Sequence, residues 1–373
     1  MALLPRAGGA RLAGSCVGAG IAGLACAVTL ERLGIDTVVY EQGDKPGQAF
    51  AHVGVIMPVI QRPVIDVVRE LRHKYGIDLR PLTQVRRIRM HGSTVERDIT
   101  GADLGFTFEV SREARSVTGQ LAGMYHGPVL FNTRADYFAL RDAFDYVVVA
   151  GGNPEISGML GVWQDWLRTW AVGAQVLGEF DQACIEIWFD RRFARNGYAY
   201  MVPFNDKMAS LSLIVPGVRR AAAIAHWQDF LRARHMSWEV VSYWDVEHVT
   251  GYVHPYQLGN TLFVGHSGGF MDPLLGFSIF SSLVSGVLAG RAIAGGKLYA
   301  QAVESLRRSM LDICRYAAFS TGWRTTTRTA WSRSWDCPAL GGPTPKARGL
   351  RSSDGATAWH LWARHLLAFS RTA

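Results

Sequence analysis

The sequence predicts an α/β protein in which a parallel sheet, flanked by helices, is interrupted by an inserted antiparallel β-sheet (α+β) substrate domain. Three observations lead there. Near the start, at Val17–Gln42, the stretch VGAGIAGLACAVTLERLGIDTVVYEQ places a glycine-rich turn before an apolar helix and a β-branched strand. Two continuous apolar runs, YVVVA at Tyr146–Ala150 and TLFV at Thr261–Val264, suit central strands of a parallel sheet. Between these two runs, CIEIWF, YAYMVP and SLSLIV alternate as antiparallel strands with one buried face do. A length of 373 residues suggests two domains or one with a large insertion, and 49% apolar against 19% charged residues is a compact composition.

Taken in order, Ile21, Leu24, Ala25 and Val28 recur at helical spacing, which predicts a helix with one face for a sheet and a stop at Gly34. The strand before it contains Gly14 and Ser15, poor strand residues, so it is expected to be short or irregular. A strand follows at Thr37–Tyr40. A second helix is expected over Arg62–Tyr75, with Val64, Ile65, Val67, Val68 and Leu71 apolar. The pattern then shortens into β-rich pieces from Val85 to Phe131. From Trp163 to Tyr256 the chain holds seven of its twelve tryptophans, which marks the inserted domain. The sheet resumes at Thr261–Val264 and ends in a helix over Gly276–Ala294. The uncharged run Pro273–Gly290 contains three glycines and four serines and reads as a buried helix rather than a membrane span.

These elements divide the chain into a dinucleotide-binding domain at 12–95, 132–154 and 259–318 and a substrate domain at 96–131 and 155–258. Residues 319–373 form a basic tail, expected to be partly disordered, in which only Trp359–Phe369 regains helical periodicity. The formal charge of +8 resides at the two ends: +6 after Ser320 and +2 from Arg6 and Arg11, so the middle is near neutral. No nucleic-acid footprint is read there; a basic tail suits peripheral contact with an acidic lipid surface. The scattered Cys16, Cys26, Cys184, Cys314 and Cys337 form neither a disulfide framework nor a metal cluster, and fit a cytoplasmic setting. Arg6, Arg11 and the apolar run after them resemble a signal peptide, but Gly14, Gly18, Gly20 and Gly23 would make a poor apolar helix.

Those glycines have a better explanation. Gly18, Gly20 and Gly23 form G-x-G-x-x-G at the strand–helix junction: the first permits the turn, the second lets a pyrophosphate approach, and the third lets helix and strand pack closely. Free N–H groups at the helix start face the phosphate oxygens. Glu41, 23 residues after Gly18, is placed to accept hydrogen bonds from an adenosine ribose, and its charge disfavours the 2′-phosphate of NADP. The N-terminal part therefore reads as a Rossmann-like FAD/NAD(P)-binding domain.

A second motif, VGHSGGFMDPLLGFSI at Val264–Ile279, decides between flavin and nicotinamide. Here the chain resembles the glutathione-reductase-type flavoproteins, and within them the geranylgeranyl reductase family, whose pattern runs G-D-A-A-G-F-x-D-P-x-x-G-x-G-I. Gly265, Gly269, Phe270, Asp272, Pro273, Gly276 and Ile279 match in place. His266 stands where the family has Asp, Ser267 and Gly268 replace two alanines, and Ser278 replaces a glycine. The resemblance implies FAD, with the strand-end residue, here His266, on the ribityl chain and the Asp272–Pro273–Gly276 turn facing pyrophosphate and flavin ring. A looser resemblance lies in Tyr198, Tyr200, Val202 and Pro203, which occupy the family's Y-x-W-x-F-P lining of a lipid cavity, and FDYVVVAGG at Phe144–Gly152 is similar to its strand beside the cofactor.

The same residues raise a rival, because GHSGG at Gly265–Gly269 fits the G-x-S-x-G nucleophile elbow, with Ser267 as nucleophile and His360 or His365 as its partner. The expected activity is an FAD-dependent reduction of carbon–carbon double bonds in an apolar, polyprenyl-type substrate, with Tyr198, Tyr200, His254 and Tyr256 as candidate proton donors or cavity residues. The alternatives are a monooxygenase of the aromatic-hydroxylase type and a non-catalytic flavoprotein fold with weakened FAD binding. The electron donor is open among NADPH, ferredoxin and other carriers, as are the oligomeric state and the catalytic residues.

Overall fold

In the computed structural model, which describes residues 13–311 other than 62, 63, 65, 94 and 274, the chain builds two sheets with helices packed against them. First come β1 (Ala13–Val17), α1 (Ile21–Arg32), β2 (Asp36–Tyr40), β3 (His52–Ile56), α2 (Val67–Tyr75), β4 (Thr83–His91) and β5 (Glu96–Val110). Next are α3 (Val117–Ala122), β6 (Val129–Leu130), α4 (Tyr137–Ala143), β7 (Tyr146–Val149), α5 (Glu155–Met159) and β8 (Trp163–Leu177). Then follow β9 (Cys184–Trp188), α6 (Arg191–Ala194), β10 (Tyr198–Pro203), β11 (Met208–Pro216), α7 (Arg220–Ala233) and β12 (Glu239–Val253). Last come β13 (Gln257–Leu258), β14 (Thr261–Phe263), a 3-10 turn at Gly265–Gly268, α8 (Ile279–Gly295) and α9 (Tyr299–Ala302), followed by a helical stretch over 304–311 at the end of the described chain.

The first sheet has the order β13-β14-β7-β1-β2-β6 and is parallel except for the edge hairpin β13–β14. This is the predicted Rossmann-like sheet. One expectation fails: β1 is regular over all five residues and is paired on both sides, to β2 and to β7. Small residues are tolerated there because the strand is central and covered; Ser15 is fully buried and donates its hydroxyl to Tyr146 O at 3.4 Å.

The helix α1 buries every residue from Ala22 to Leu30 rather than a single face. The reason is α8, which covers the side away from the sheet. A Cβ on Gly286 would lie 2.2 Å from Ala22 O, and one on Gly290 would lie 2.9 Å from Thr29, so the two helices meet backbone to backbone. The expected helix over Arg62–Tyr75 begins instead at Val67. There the Asp66 carboxylate caps Arg69 N at 2.9 Å, and Gly76, in the left-handed region, ends it.

The second sheet runs β12-β8-β11-β10-β9-β4-β5-β3 and is antiparallel apart from the β4–β9 pair. Its membership shifts the division read from sequence. Strands β3 and β4, assigned to the dinucleotide-binding part at 12–95, pair in this sheet, whereas β6, assigned to the substrate part, adds to the edge of the first. The sheet curls until its two edges approach: Phe50, just before β3, stacks on Trp244 of β12 with ring centroids 4.4 Å apart. Gly173 on β8 makes this possible, since a Cβ there would meet the indole at 2.2 Å.

Among the described residues no helix is long and apolar enough to cross a membrane. The tail at 319–373, with Cys337, His360 and His365, lies outside the described residues, as do Arg6, Arg11 and Cys314.

Candidate functional site

Three turns gather at the C-terminal ends of adjacent parallel strands, where open α/β sheets place their ligands. They are Gly18–Gly20 after β1, Gly151–Gly152 after β7, and the 3-10 turn after β14. Gly18 has φ +109°, and a Cβ on it would sit 2.5 Å from Ala150 O, so only glycine makes this turn. A Cβ on Gly23 would lie 2.0 Å from Gly18 O. Gly20 differs: its nearest neighbour would be Ala150 O at 4.0 Å, and the space beyond is the cleft.

That cleft has a volume of about 620 Å³ and is continuous from the glycine turn to the curled sheet. Gly18, Gly20, Glu41, His266, Asp272, Pro273 and Gly276 line it together with Tyr198 and Tyr200. Gly23, Gly265 and Pro203 do not. Gly23 packs beneath the turn, and Gly265 (φ +55°) gives its N–H to Ser285 Oγ at 3.0 Å beside Ala22. Pro203 ends β10 opposite Ala209, and Val202 reaches the cleft instead.

Glu41 ties this end together. Its carboxylate accepts from Ala19 N at 2.8 Å and from Gly43 N at 2.7 Å, holding the glycine turn to the loop after β2 while leaving lone pairs for a ribose. Each charge-assisted bond contributes roughly 1.5–3 kcal/mol. Glu41→Ala is therefore expected to lower the melting temperature and to weaken dinucleotide binding by at least about tenfold, as titration calorimetry would show; Glu41→Gln, which keeps an acceptor, should lose less. No side chain caps the start of α1, whose first turn opens onto the cleft. Arg112 enters at the same end, bonded to Asp44 at 2.7 Å.

At the other end the Asp272–Gly276 turn is fixed from within. Asp272 is 2% exposed; its Oδ1 accepts from Leu275 N at 3.0 Å and its carbonyl from Gly276 N at 2.9 Å. The Tyr198 hydroxyl donates to Leu275 O, which fastens β10 to this turn. Burial first, then the neighbouring Tyr200 phenol and the Asp272 carboxylate, push that phenol well above its ordinary range, so it stays protonated. His254 and Tyr256, the other candidate donors, lie off the cleft: Tyr256 stacks on Phe270 at 5.1 Å, and burial raises its pKa.

His266 donates from Nε2 to Val249 O at 2.7 Å, and burial holds the ring below its ordinary pKa. It therefore does not serve as base to Ser267, which is fully buried and donates to Asn153 O at 2.9 Å. The nucleophile-elbow reading loses its geometry.

Two further histidines, absent from the sequence reading, line the cleft beside it. His248 of β12 has its ring centroid 6.2 Å from that of His266, and His52 opens β3. Both are pushed down to about 4, by burial first and then by the neighbouring imidazole. No local signal marks them in the sequence, because β3 and β12 are opposite edges of one sheet.

Residues 16–78 match the NAD(P)-binding Rossmann-like domain family. None of the curated proteins compared with the chain matches it. Among solved structures, a geranylgeranyl bacteriochlorophyll reductase-like protein from Thermoplasma acidophilum superposes with TM-score 0.61 at 15% identity, covering 83% of this chain and 84% of that one. A flavoprotein/dehydrogenase from Cytophaga hutchinsonii gives 0.60 at 14% identity over 86% and 88% of the two chains. A 2-methyl-3-hydroxypyridine-5-carboxylic acid oxygenase gives 0.59 at 15% identity over 83% and 92%. The chain thus shares the two-sheet fold of these proteins, with a Rossmann-like domain at its N-terminal end.

Proposed function

We propose that the chain is an FAD-dependent oxidoreductase that reduces a carbon–carbon double bond in an apolar, polyprenyl-type substrate. The observation that carries this reading is the single cleft joining the Gly18–Glu41 end to the Asp272–Gly276 turn and the curled sheet. FAD suits it because bare backbone faces the cleft where a bulky ligand must approach: Cβ atoms on Gly152 and Gly276 would have nothing within 4 Å. The structural neighbours, which include a reductase-like protein and flavin-dependent halogenases, favour the same cofactor.

When bound, the flavin supplies hydride chemistry. Gly20 and the start of α1 would receive the pyrophosphate, Glu41 the adenosine ribose, and His266 the ribityl chain. Beyond the Asp272 turn, Val55, Met57, Ile185, Ile187, Val202 and Ile214 form an apolar wall that would exclude water and orient a hydrocarbon. An oxygenase would use the same frame, as the pyridine-carboxylate oxygenase does with a shared fold.

Purified protein is expected to be yellow and to carry about one FAD per chain. Reduced anaerobically, it should return to the oxidised spectrum when a polyprenyl alkene is added. Protein that lacks flavin and takes up none when FAD is supplied supports the non-catalytic fold. Reoxidation that needs oxygen and yields a hydroxylated product supports the oxygenase.

A further inference from the structure

The cleft is not uniformly apolar beyond the flavin turn. Apart from the Tyr198 and Tyr200 phenols, its β3/β9/β10/β11 side is hydrocarbon, whereas the β8/β12 side carries Thr169, His248 and Thr250, with His52, at the entry to β3, and His266 facing them. Three imidazoles from three distant segments therefore converge on one strip. His52 Nδ1 accepts from Gln48 Nε2 at 2.7 Å, leaving its Nε2–H as a donor. His248 is held neutral by burial and by His266, and no hydrogen bond from a described residue offsets that.

Trp244 adds an independent observation. It lines the same cleft, with its ring centroid 6.0 Å from that of His52, and is 8% exposed. Its indole Nε1–H is buried and has no hydrogen-bond partner among the described residues. A buried donor left unsatisfied costs about 1–3 kcal/mol, and such groups in a binding cleft are satisfied by what binds there.

Resting on the reading of an apolar substrate, we propose that this strip is a head-group subsite: it receives an uncharged hydroxyl at one end of an amphipathic substrate. The hydroxyl oxygen accepts from Trp244 Nε1–H, and its own O–H donates a hydrogen bond to an imidazole nitrogen of His248. A phosphate or carboxylate head is disfavoured because the strip offers neutral rings and threonine hydroxyls, with no lysine or arginine among them. The substrate body then lies along the opposite hydrocarbon wall toward the Asp272 turn.

The test titrates FAD-loaded protein, by calorimetry, with farnesol, with farnesene, which has the same chain without the head, and with farnesyl diphosphate. Farnesol is expected to bind at least about tenfold tighter than farnesene, since a site built to hydrogen-bond a hydroxyl rejects the analogue lacking it. Trp244→Phe, which keeps the ring and removes the N–H, and His248→Leu should each reduce this preference to within about threefold. Unchanged farnesene affinity in either variant shows that the cleft is intact. Equal binding of farnesol and farnesene by the unaltered protein, or tighter binding of the diphosphate, overturns the head-group subsite and leaves the apolar-substrate reading standing. Failure of all three probes to bind overturns both.

Discussion

Alanine at Gly23 is expected to prevent stable folding, whereas valine at Gly20 should leave the melting temperature nearly unchanged and abolish FAD uptake. The two glycines are three residues apart in one motif, yet they meet opposite surroundings. A methyl group on Gly23 would be driven to 2.0 Å from Gly18 O and 3.2 Å from Ala150 Cβ, inside the layer where α1 rests on β1 and β7. Neither atom is the tip of a flexible side chain. Relief requires α1 to lift off the sheet, and α8 prevents that from the other side. Overpacking of this kind costs roughly 3 kcal/mol or more, a large share of a domain's stability. At Gly20, by contrast, the backbone has φ −86°, ordinary for any residue, and its side opens to the cleft. Valine methyls would occupy the path of the pyrophosphate without touching the core. Thermal melts with gel filtration of FAD-incubated protein read both effects. A Gly20→Val protein that retains FAD would show that the dinucleotide does not lie against this turn.

Stability is expected to decline as the pH falls from about 6.5 to about 4, and the decline should trace mainly to His52 and His248, with His266, also held below its ordinary pKa by burial, adding to it. Both imidazoles titrate at about 4 in the folded protein against an ordinary value of 6.5. Above pH 6.5 they are neutral in folded and unfolded chains alike and contribute nothing to the pH dependence. Between the two values the unfolded chain takes up a proton that the folded one refuses, which favours unfolding, and below about 4 the loss is complete. Each ring contributes roughly 2 kcal/mol to this loss, allowing for water that reaches it through the cleft. Replacing both with glutamine should flatten the melting temperature between pH 7 and pH 5 relative to the unaltered protein. A decline that is undiminished in the double variant would assign it to other groups.

What was legible in the sequence was local. The roles of Gly18, Gly20 and Gly23 follow from spacing within one turn, and the spans of β2, β7, β14 and α8 from short apolar runs that need no partner to be recognised. The regularity of β1 was not legible, because Gly14 and Ser15 are tolerated only through strands and helices supplied by residues more than a hundred positions later. Pairing also decided the placement of β3 and β4: alternation marks a strand but not which sheet accepts it. The strip of His52, Trp244, His248 and His266 was invisible for the same reason. Three of its four members sit on strands or beside them at sheet margins, and only curling of the second sheet brings them to one wall. Tyr198 and Tyr200 were found through a resemblance, though the hydroxyl of Tyr198 serves the Leu275 carbonyl rather than standing ready as an acid.

The contact between Phe50 and Trp244 has a consequence for how this scaffold changes its clientele. A closed barrel fixes its bore by strand number, so a larger guest demands a new strand. Here the two margins are clasped by side-chain rings, Phe50 and His52 at the entry to β3 against Trp244 seated over Gly173. The width of the mouth is therefore set by these side chains, and substitutions among them would change it without redrawing a backbone ladder.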